Sequence, residues 1–591
     1  MRLDIGFVND TNQAESLISA NIKLFQVFSF CPAAAYVLKK SGYSVATPSS
    51  TYKAMSQGKN AVYSTKRTAK LVEDATRIYK LKPGESEGLA SYLKHYLPVV
   101  YYNYYSVLHY SGQALAFQIV ENGKLKKEDN FRKVLESLIS WTITKFNSYE
   151  NTKYSSFNNA LCKLNNKFVR ALHAKNKFRV AHFGNSTQFK KMLNAIEDKR
   201  PVAHIFTRKM PRSSGQALKF LLANLKKILF GNKNNKPIFY FRTTAPANYI
   251  PFDATNQLKD AVKSIFHEVD LQKIVADEIA RYIPFLKTQY EIGQQFVDEI
   301  KPDLLLTDHV IYNFIRGAFD KAHEKKLPAM IINQGTHTKQ EQRLSKVAGN
   351  LWASTGRVVT ASATHYASKM PLTHELAKEL EPQLPRNFLK IAPYPHLKLD
   401  ISEPAKNFTI LVAGNYSWPD FHMPRITETP EEFLLGLMEI IEELGQLENI
   451  EVIIKLKIKK APVHAQILND KINELGLSHK VYIDTNTKFP EVLARSHLVI
   501  SNLSAALEEA LAAPVPLMLY SYRKKYFHLP CSFDATPSFV YGVKKREHLQ
   551  GIVQSIRQNY KEITENKPGL DKIVWKDSEV TDILALAKQL G

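Results

Sequence analysis

The chain has 591 residues, of which 44% are hydrophobic and 23% charged, and these proportions exclude a disordered, fibrous or low-complexity protein. Its three cysteines are odd in number and far apart, which excludes a disulfide framework and a CxxC metal site and indicates reduced thiols. The formal net charge is +24, and residues 151–250 contribute +18 of it, because 20 lysines and arginines there accompany only two acidic residues.

The first 175 residues combine a short α/β pattern with a long helical stretch. No basic region followed by an apolar run opens the chain, so no secretory signal is predicted. Residues 21–47 are predicted as strand, helix and strand, and residues 51–175 as largely helical and rich in tyrosine and lysine. We favour the interpretation that the strands open an N-terminal domain with a helical insertion. A separate helical extension is the alternative.

Residues 177–395 alternate short apolar runs with amphipathic helical stretches, which is typical of a parallel α/β sheet. A long helix is predicted within 270–300 and another at 311–325. We therefore predict one N-terminal Rossmann-like domain at 1–395. Its strand candidates are 179–184, 202–206, 238–241, 304–307, 329–333, 358–365 and 388–391.

The clearest alternation lies at 396–575, which we predict to be a second Rossmann-like domain. The closing segment, 576–591, is predicted as a helix that crosses back to the N-terminal domain. The predicted fold class is α/β, with two tandem Rossmann-like domains facing a cleft and a helical N-terminal insertion or extension. Predicted strands in the second domain are 408–414, 450–458, 481–484, 498–501 and 516–520.

The segment at 499–520 carries the strongest functional pattern. A strand ends at Ser501 and Asn502, and Ser504 opens a helix with Glu508 and Glu509 about one turn along it. Free N–H groups at a helix N-terminus suit a phosphate, and a carboxylate one turn further suits ribose hydroxyls. The alternative is an ordinary helix that is capped by a serine or asparagine and has glutamates on its solvated face.

This segment resembles the nucleotide-sugar-binding motif of GT-B glycosyltransferases, which reads Ser-Ser, three residues, Glu-Ala-Leu and then Gly-x-Pro. Ser504 matches the first serine, Ala505 stands at the second, and residues 509–511 match Glu-Ala-Leu. Residues 513–516 stand where Gly-x-Pro is expected. The likeness covers roughly 300–520 and is nearest to bacterial capsule, Kdo and sialyl transferases.

Other segments of the second domain follow the same family pattern. Residues 412–417 resemble its glycine-containing turn, and the strand at 453–462 has lysines where the family has a His-Pro pair. The resemblance implies that the donor is bound by residues of three segments of this domain. These are Gly414, Asn415, Lys455, Lys457, Ser501, Asn502, Ser504 and Glu509.

Residues 301–336 resemble the family segment that ends in Gln-His-Gly, but this chain reads Asn333-Gln334-Gly335 there. An inverting enzyme of this kind needs a base on the acceptor side of the cleft. Asp308 and His309 end a predicted strand, and His337 follows the Gln-Gly pair, so these three are the catalytic candidates. For each one, a capping or loop role is the alternative.

Residues 213–236 predict a basic amphipathic helix, with leucines along one face and Lys219, Lys226 and Lys227 on the other. Such a helix suits an anionic bilayer surface, and the charge of the surrounding block supports that interpretation. The alternative is a core-facing helix whose polar face happens to be rich in lysine.

The resemblance implies an enzyme that transfers a sugar from a nucleotide-activated donor to a bacterial surface glycan, in capsule or lipopolysaccharide synthesis, or to a lipid-linked acceptor. We expect it to be cytoplasmic and peripheral at the inner membrane. No metal-site motif or cofactor motif is present, so neither a metal nor a cofactor is expected. Alternatives on the same fold are a CDP-glycerol-type glycerophosphotransferase and a nucleotide-sugar epimerase. Nucleic-acid binding, for which no motif is found, and a non-catalytic scaffold are alternatives of another class.

Overall fold

The computed structural model describes the chain in segments. They comprise 4–8, 10–22, 24–47, 57–111, 116–121, 124–128, 178–183, 202–209, 238–241, 252–310, 312–333, 362–380, 387–391, 407–414, 430–456, 462–501, 505–513, 515–520, 527 and 529–576, with eleven further residues between 160 and 223 (160, 161, 164, 167, 215, 216, 218, 219 and 221–223).

The first sheet belongs to residues 4–47 and 116–128, which we call the N-terminal unit. Its strands are parallel except for a closing antiparallel hairpin, and their order is β3-β2-β1-β4-β5. Pro32 occupies the first position of α2, where its missing N–H leaves no helical bond unmade. The elements are β1 (Asp4–Val8), α1 (Thr11–Ser19), β2 (Gln26–Ser29), α2 (Pro32–Lys40), β3 (Val45–Ala46), β4 (Ala116–Glu121) and β5 (Lys124–Glu128).

Two long helices, α3 (Gln57–Tyr79) and α4 (Pro83–Ser111), are inserted between β3 and β4. We call them the helical pair. Their buried leucines and tyrosines share one core with α5 (Phe252–Ile265) and α6 (Val269–Ile300). Much of the segment predicted as helical is therefore observed as helix, but β4 and β5 also lie within it.

The middle unit, residues 178–391, contains a seven-stranded, all-parallel sheet in the order β12-β11-β10-β9-β6-β7-β8. β9 and β10 are buried at every position, as expected of strands covered on both faces. Besides α5 and α6, the elements are β6 (Phe178–Phe183), β7 (Val202–Lys209), β8 (Ile238–Phe241), β9 (Leu304–Thr307), α7 (Asn313–Glu324), β10 (Ala329–Ile332), β11 (His365–Ser368), α8 (Pro371–Leu380) and β12 (Asn387–Lys390).

The C-terminal unit, residues 407–574, contains a six-stranded, all-parallel sheet in the order β15-β14-β13-β16-β17-β18. All six residues of β13 are buried, and the sheet is the centre of one large apolar core. The elements are β13 (Phe408–Ala413), α9 (Pro430–Leu444), β14 (Ile450–Lys455), α10 (Pro462–Glu474), β15 (Val481–Asp484), α11 (Phe489–Leu493), β16 (Leu498–Ser501), α12 (Ala505–Ala512), β17 (Leu517–Leu519), β18 (Val540–Gly542), α13 (Leu549–Gln558) and α14 (Tyr560–Asn566).

The predicted fold class is confirmed: the chain is α/β, with two Rossmann-like units built on parallel sheets. The strand–helix–strand at the start is also observed, as β2, α2 and β3. β2 pairs with β1 and β3, and in the described segments neither β2 nor β3 pairs with the seven-stranded sheet. The residues that we predicted as one domain, 1–395, are thus divided between two sheets. An apolar pattern identifies strands, but it does not say which strands pair.

None of the helices among the described residues combines the length and the apolar character that a bilayer crossing requires.

Candidate functional site

Each of the two larger sheets has a point where the strand order reverses. In the middle unit this point lies between β6 and β9, and in the C-terminal unit it lies between β13 and β16. Ligands of open α/β sheets bind beyond the carboxyl ends of the strands at such a point. Asp308 and His309 directly follow β9, Gly414 follows β13, and Ser501 ends β16. The strand order therefore places four predicted site residues at the two expected edges.

Asp308 and His309 form a close pair at the edge of the middle unit. The Asp308 carboxylate lies 2.5 Å from His309 Nδ1, and the side chain of Asp308 is 5% exposed. His309 Nε2 is buried and has no hydrogen-bond partner among the described residues. A carboxylate on one ring nitrogen orients the imidazole and leaves the other nitrogen to exchange a proton. Asp308 Oδ1 also has no hydrogen-bond partner among the described residues, so the two side chains meet at ion-pair distance without hydrogen-bond geometry. The strand end thus brings together a carboxylate and an imidazole, two groups that can exchange a proton.

The backbone that carries this pair is fixed from both sides. Thr307 Oγ1 donates to His309 O at 2.7 Å and accepts from His309 N at 3.3 Å. Arg316 on α7 donates to Val310 O at 3.2 Å, and its guanidinium forms an ion pair with Glu87 of α4. The helical pair thus contributes directly to the loop that holds His309. Sequence reasoning missed Arg316, because its partner lies 229 positions away.

Gly414 and Ser501 line the corresponding edge of the C-terminal unit. Ser501 Oγ donates to Ala413 O at 2.6 Å, across the reversal point. A Cβ on Gly414 would lie 2.1 Å from the ring of Phe433 on α9, so a larger residue here would displace that ring. Ser501 therefore holds the two strand ends together here, and its hydroxyl proton is already donated to the backbone.

Lys455 ends β14 beside Asp484, which ends β15. Its ammonium lies 3.2 Å from the Asp484 carboxylate. Burial favours a raised pKa for Asp484, but hydrogen bonds from Thr487, Asn486 and Lys455 outweigh it and hold the pKa at about 2. Lys455 thus neutralises an ionised carboxylate, and this reduces the positive charge that it can offer a phosphate.

The two adjacent glutamates of α12 have different environments. Glu508 is 1% exposed and forms an ion pair at 3.1 Å with Lys369, which directly follows β11. Glu509, the predicted ribose ligand, is half-buried. The Lys369–Glu508 pair joins the carboxyl edge of one sheet to the first turn of the helix that follows β16 in the other. Lys369 was missed because this contact is made between the units.

The neighbours of Lys369 are also anchored to the C-terminal unit. Trp575 Nε1 donates to Ser368 O at 2.9 Å, and Met370 is buried in the core of the C-terminal unit. Lys390 Nζ lies 4.6 Å from the centroid of the Trp575 ring. The chain therefore returns to the middle unit at Trp575, directly before the predicted crossing helix at 576–591.

These contacts relate the two reversal points. β9 and β11 are separated by one strand in the sheet, so their ends lie about 10 Å apart. The end of β11 contacts the first turn of α12 through Lys369. The Asp308–His309 pair therefore lies two strands away from the point where the middle unit contacts the first turn of α12.

The remaining predicted site residues divide into two groups. Lys219 is described as an exposed helical residue, next to Leu218 and near Leu222, which are 40% and 57% exposed. The others lie outside the described residues, and their contribution stays a prediction. They are the catalytic candidate His337, the donor-site candidates Asn415, Lys457, Asn502 and Ser504, and the membrane-contact candidates Lys226 and Lys227.

Several solved structures show low similarity to the chain. A UDP-GlcNAc 2-epimerase from Methanocaldococcus jannaschii, in complex with UDP-GlcNAc and UDP, is 13% identical, covers 70% of this chain and 99% of its own, and has a TM-score of 0.39. A glycosyltransferase from Rickettsia africae is 9% identical, with coverages of 70% and 99% and a TM-score of 0.36. A UDP-GlcNAc 2-epimerase from Neisseria meningitidis, bound to UDP-GlcNAc, is 12% identical, with coverages of 70% and 98% and a TM-score of 0.36.

No protein-family profile and no curated protein matches the chain. Because the structural similarities are this low, no residue role is transferred from them.

Proposed function

We propose that this protein is a glycosyltransferase that transfers a sugar from a nucleotide-activated donor, with His309 as the base that activates the acceptor hydroxyl. The observation that carries the proposal is the Asp308–His309 pair, which lies at a reversal point of one parallel sheet and near the start of α12 in the other. The motif resemblance at residues 499–520 supports the choice of donor.

The reaction needs one proton transfer and one displacement. His309 Nε2 takes the proton of the acceptor hydroxyl while that oxygen attacks the anomeric carbon of the donor. The bond from this carbon to the diphosphate breaks, and the nucleoside diphosphate leaves with the electron pair. Asp308 stabilises the imidazolium that forms. Because the acceptor oxygen attacks directly, this scheme inverts the anomeric configuration.

The donor is assigned to the start of α12. A helix N-terminus suits a diphosphate, and the half-buried Glu509 suits the ribose hydroxyls. Glu508 is a poorer ribose ligand, because it is buried in its pair with Lys369. Because residue 414, at the end of β13, is glycine, it places no side chain beside the start of α12.

Thermal-shift measurements with CMP, CDP, UDP, GDP and dTDP, with and without Mg²⁺, test the donor assignment. A nucleotide at about 100 times its Kd should raise the free energy of unfolding by about 2.7 kcal/mol. We expect one nucleotide to shift the melting temperature, and Glu509→Ala to abolish that shift. Glu565→Ala, which changes an exposed glutamate on α14, is the matched control. No shift with any nucleotide would overturn the donor site.

We further propose that the acceptor is a growing bacterial surface glycan or a lipid-linked sugar, and that the protein works at the cytoplasmic face of the inner membrane. Exposed Leu218 and Leu222 beside Lys219, within the basic block, support contact with an anionic bilayer. Co-sedimentation with vesicles of phosphatidylglycerol tests this. Replacing both leucines with serine should reduce binding more than Leu475→Ser, which changes an exposed leucine elsewhere.

A further inference from the structure

Tyr312 is a large aromatic residue exposed beside the proposed base. It is 52% exposed, and its ring centroid lies 5.3 Å from that of His309, with an angle of 59° between the ring planes. Tyr312 is the N-cap residue of α7, where its backbone is extended. The exposed ring therefore stands at the carboxyl edge of the sheet, three residues from His309.

Described residues before and after Tyr312 are held by hydrogen bonds. Before it, Thr307 holds His309 and Arg316 holds Val310. After it, Arg316 N donates to Tyr312 O at 3.0 Å in the first turn of α7. An exposed ring on a constrained backbone loses little conformational freedom when a ligand packs on it. This favours a binding role over an incidental surface position.

We propose that Tyr312 is the stacking platform for the acceptor sugar, a role that rests on the proposed glycosyltransferase function. The C–H groups on one face of a pyranose form an apolar surface that packs on an aromatic ring, while the sugar hydroxyls stay at its rim. A pyranose in van der Waals contact with Tyr312 has rim hydroxyls within a few ångströms of the His309 ring, since the two side-chain rings are neighbours. Tyr312 is thus a positioning residue that holds the acceptor sugar beside the His309 ring.

The platform fits a pyranose with an uninterrupted C–H face, such as β-glucose, β-galactose or N-acetyl-β-glucosamine. These sugars have equatorial or mostly equatorial substituents, so at least one ring face is free for stacking. The phenol hydroxyl is not needed for this contact, because the ring supplies the packing surface. Phenylalanine at position 312 should therefore still bind the sugar, whereas alanine should not.

Saturation-transfer NMR with the methyl β-glycosides of these three sugars tests the platform without depending on catalysis. We expect transfer to at least one glycoside in the wild-type protein, a signal about fivefold weaker in Tyr312→Ala, and a nearly unchanged signal in Tyr312→Phe. Phe25→Ala is the matched control, because Phe25 is a 57% exposed aromatic of the N-terminal unit. Its signal should equal that of the wild type.

An unchanged signal in Tyr312→Ala overturns the platform, and so does a wild-type protein that transfers saturation to none of the three glycosides. A loss in Tyr312→Ala that Phe25→Ala also shows overturns it too, because the effect would then be general. Nucleotide thermal shifts measured on the same samples separate the two hypotheses. Failure of the donor assignment removes those shifts, whereas failure of the platform leaves them in place.

Discussion

His309 differs from an ordinary loop histidine in the way its two ring nitrogens are placed. Nδ1 lies next to a buried carboxylate, and Nε2 has no hydrogen-bond partner among the described residues. This asymmetry places a negative charge beside one ring nitrogen and favours the imidazolium that a base forms when it takes up a proton.

We expect His309→Ala to reduce sugar transfer by about 10²–10⁴-fold, because the acceptor loses its general base, and to leave nucleotide binding intact. Asp308→Asn should reduce transfer less, because the base remains but loses its orienting charge. The measurement is the rate of nucleotide release with saturating donor and acceptor. His323→Ala, on the exposed side of α7, serves as the control. Equal rates in His309→Ala and wild type would exclude His309 as the base.

The Lys369–Glu508 pair makes a second prediction at this scale, this time for stability. Lys369→Met leaves the carboxylate of Glu508 buried without its cation, and this should cost about 3–5 kcal/mol. The double variant Lys369→Met/Glu508→Leu should recover much of that loss, because two apolar side chains then pack where the two charges were. Urea unfolding of the single and double variants measures the difference. If Lys369→Met costs under about 1 kcal/mol, the pair is not buried in solution.

Protonation provides a third prediction, at His464 in the first turn of α10. Burial lowers the pKa of His464 to about 4, below the value near 6.5 of an unfolded histidine. As the pH falls from 6.5 towards 4, the unfolded chain takes up this proton first, and the folded state loses relative stability. The contribution should reach about 3 kcal/mol at the lower end of that window.

Urea unfolding of wild type and His464→Gln at pH 7 and pH 4.5 tests this assignment. The variant should lose less stability between the two pH values than the wild type, whatever its stability at pH 7. His479→Gln, which changes an exposed histidine shortly after the end of α10, should keep the wild-type dependence of stability on pH. Identical pH dependences in wild type and His464→Gln would assign the acid sensitivity to other groups.

Some site residues can be predicted from sequence because they are local to strand ends. Asp308, Gly414 and Ser501 follow or end short apolar runs, and the carboxyl edge of a parallel sheet is where such residues gather. Lys369 and Arg316 could not be predicted in this way. Their roles depend on partners 139 and 229 positions away, and no local pattern contains that information.

At the scale of elements, the close crossing of α6 and α7 sets the position of the loop before α7. A Cβ on Gly293 would lie 2.0 Å from Phe314 O, and a Cβ on Gly317 would lie 2.1 Å from Tyr290 O. The two glycines therefore let the helix backbones approach each other. Because α7 carries Arg316 and begins beside Tyr312, this crossing also positions the candidate site.

Gly293→Ala and Gly317→Ala should each destabilise the protein by about 1–3 kcal/mol, since the added methyl group meets backbone atoms that cannot rotate away. Gly551→Ala is the control, because a Cβ at that helical position meets no atom within 4 Å. Substitution there should be neutral or slightly stabilising, since alanine favours the helix. Thermal unfolding of the three variants makes the comparison. No loss in the first two would mean that the helices cross less closely.

The sequence pattern was informative for single elements and less so for their assembly. β9 and β13 are apolar runs bounded by polar residues, and the structure places both where they were predicted. β4 was missed, because it lies in a tyrosine-rich stretch that continues the helical pattern of α4. Its pairing with β1, more than 100 positions earlier, creates a sheet that no local sequence pattern predicts.

At the scale of the whole molecule, the N-terminal unit contacts the C-terminal unit, and the helical pair contacts the middle unit. Tyr36 of α2 packs against the core of the C-terminal unit, and Lys40 of the same helix pairs with Asp470 of α10 at 2.6 Å. The helical pair packs on α5 and α6 of the middle unit. Residues 4–111 therefore connect the two units that carry the candidate site.

The middle and C-terminal units are also joined directly, through the turn that follows β11. Ser368 O accepts from Trp575, Lys369 pairs with Glu508, and Met370 enters the core of the C-terminal unit. Three consecutive residues are thus held by the other unit. A movement of the middle unit relative to the C-terminal unit therefore has to rotate about residues 368–370 or break these contacts.

Trp575→Ala tests how much the returning segment contributes to this connection. The substitution removes the hydrogen bond to Ser368 O and the ring beneath Lys390 and beside His374. Because Trp575 is only half-buried, we expect a loss of about 2 kcal/mol, less than the cost for a fully buried tryptophan. Trp575→Phe should lose less, since it keeps the ring and gives up the N–H donor.

The effect should fall on the connection between the units and not on either sheet alone. Calorimetry of Trp575→Ala should therefore separate the unfolding of the middle and C-terminal units into two transitions, where the wild type unfolds with stronger coupling. Phe533→Ala is the matched control, because the contacts of its ring, with Phe527 and Lys544, lie within the C-terminal unit. It should lower the stability of that unit without separating the transitions. If both variants give the same calorimetric profile, Trp575 stabilises only its own unit, and the coupling between the units rests on Lys369, Met370 and α2.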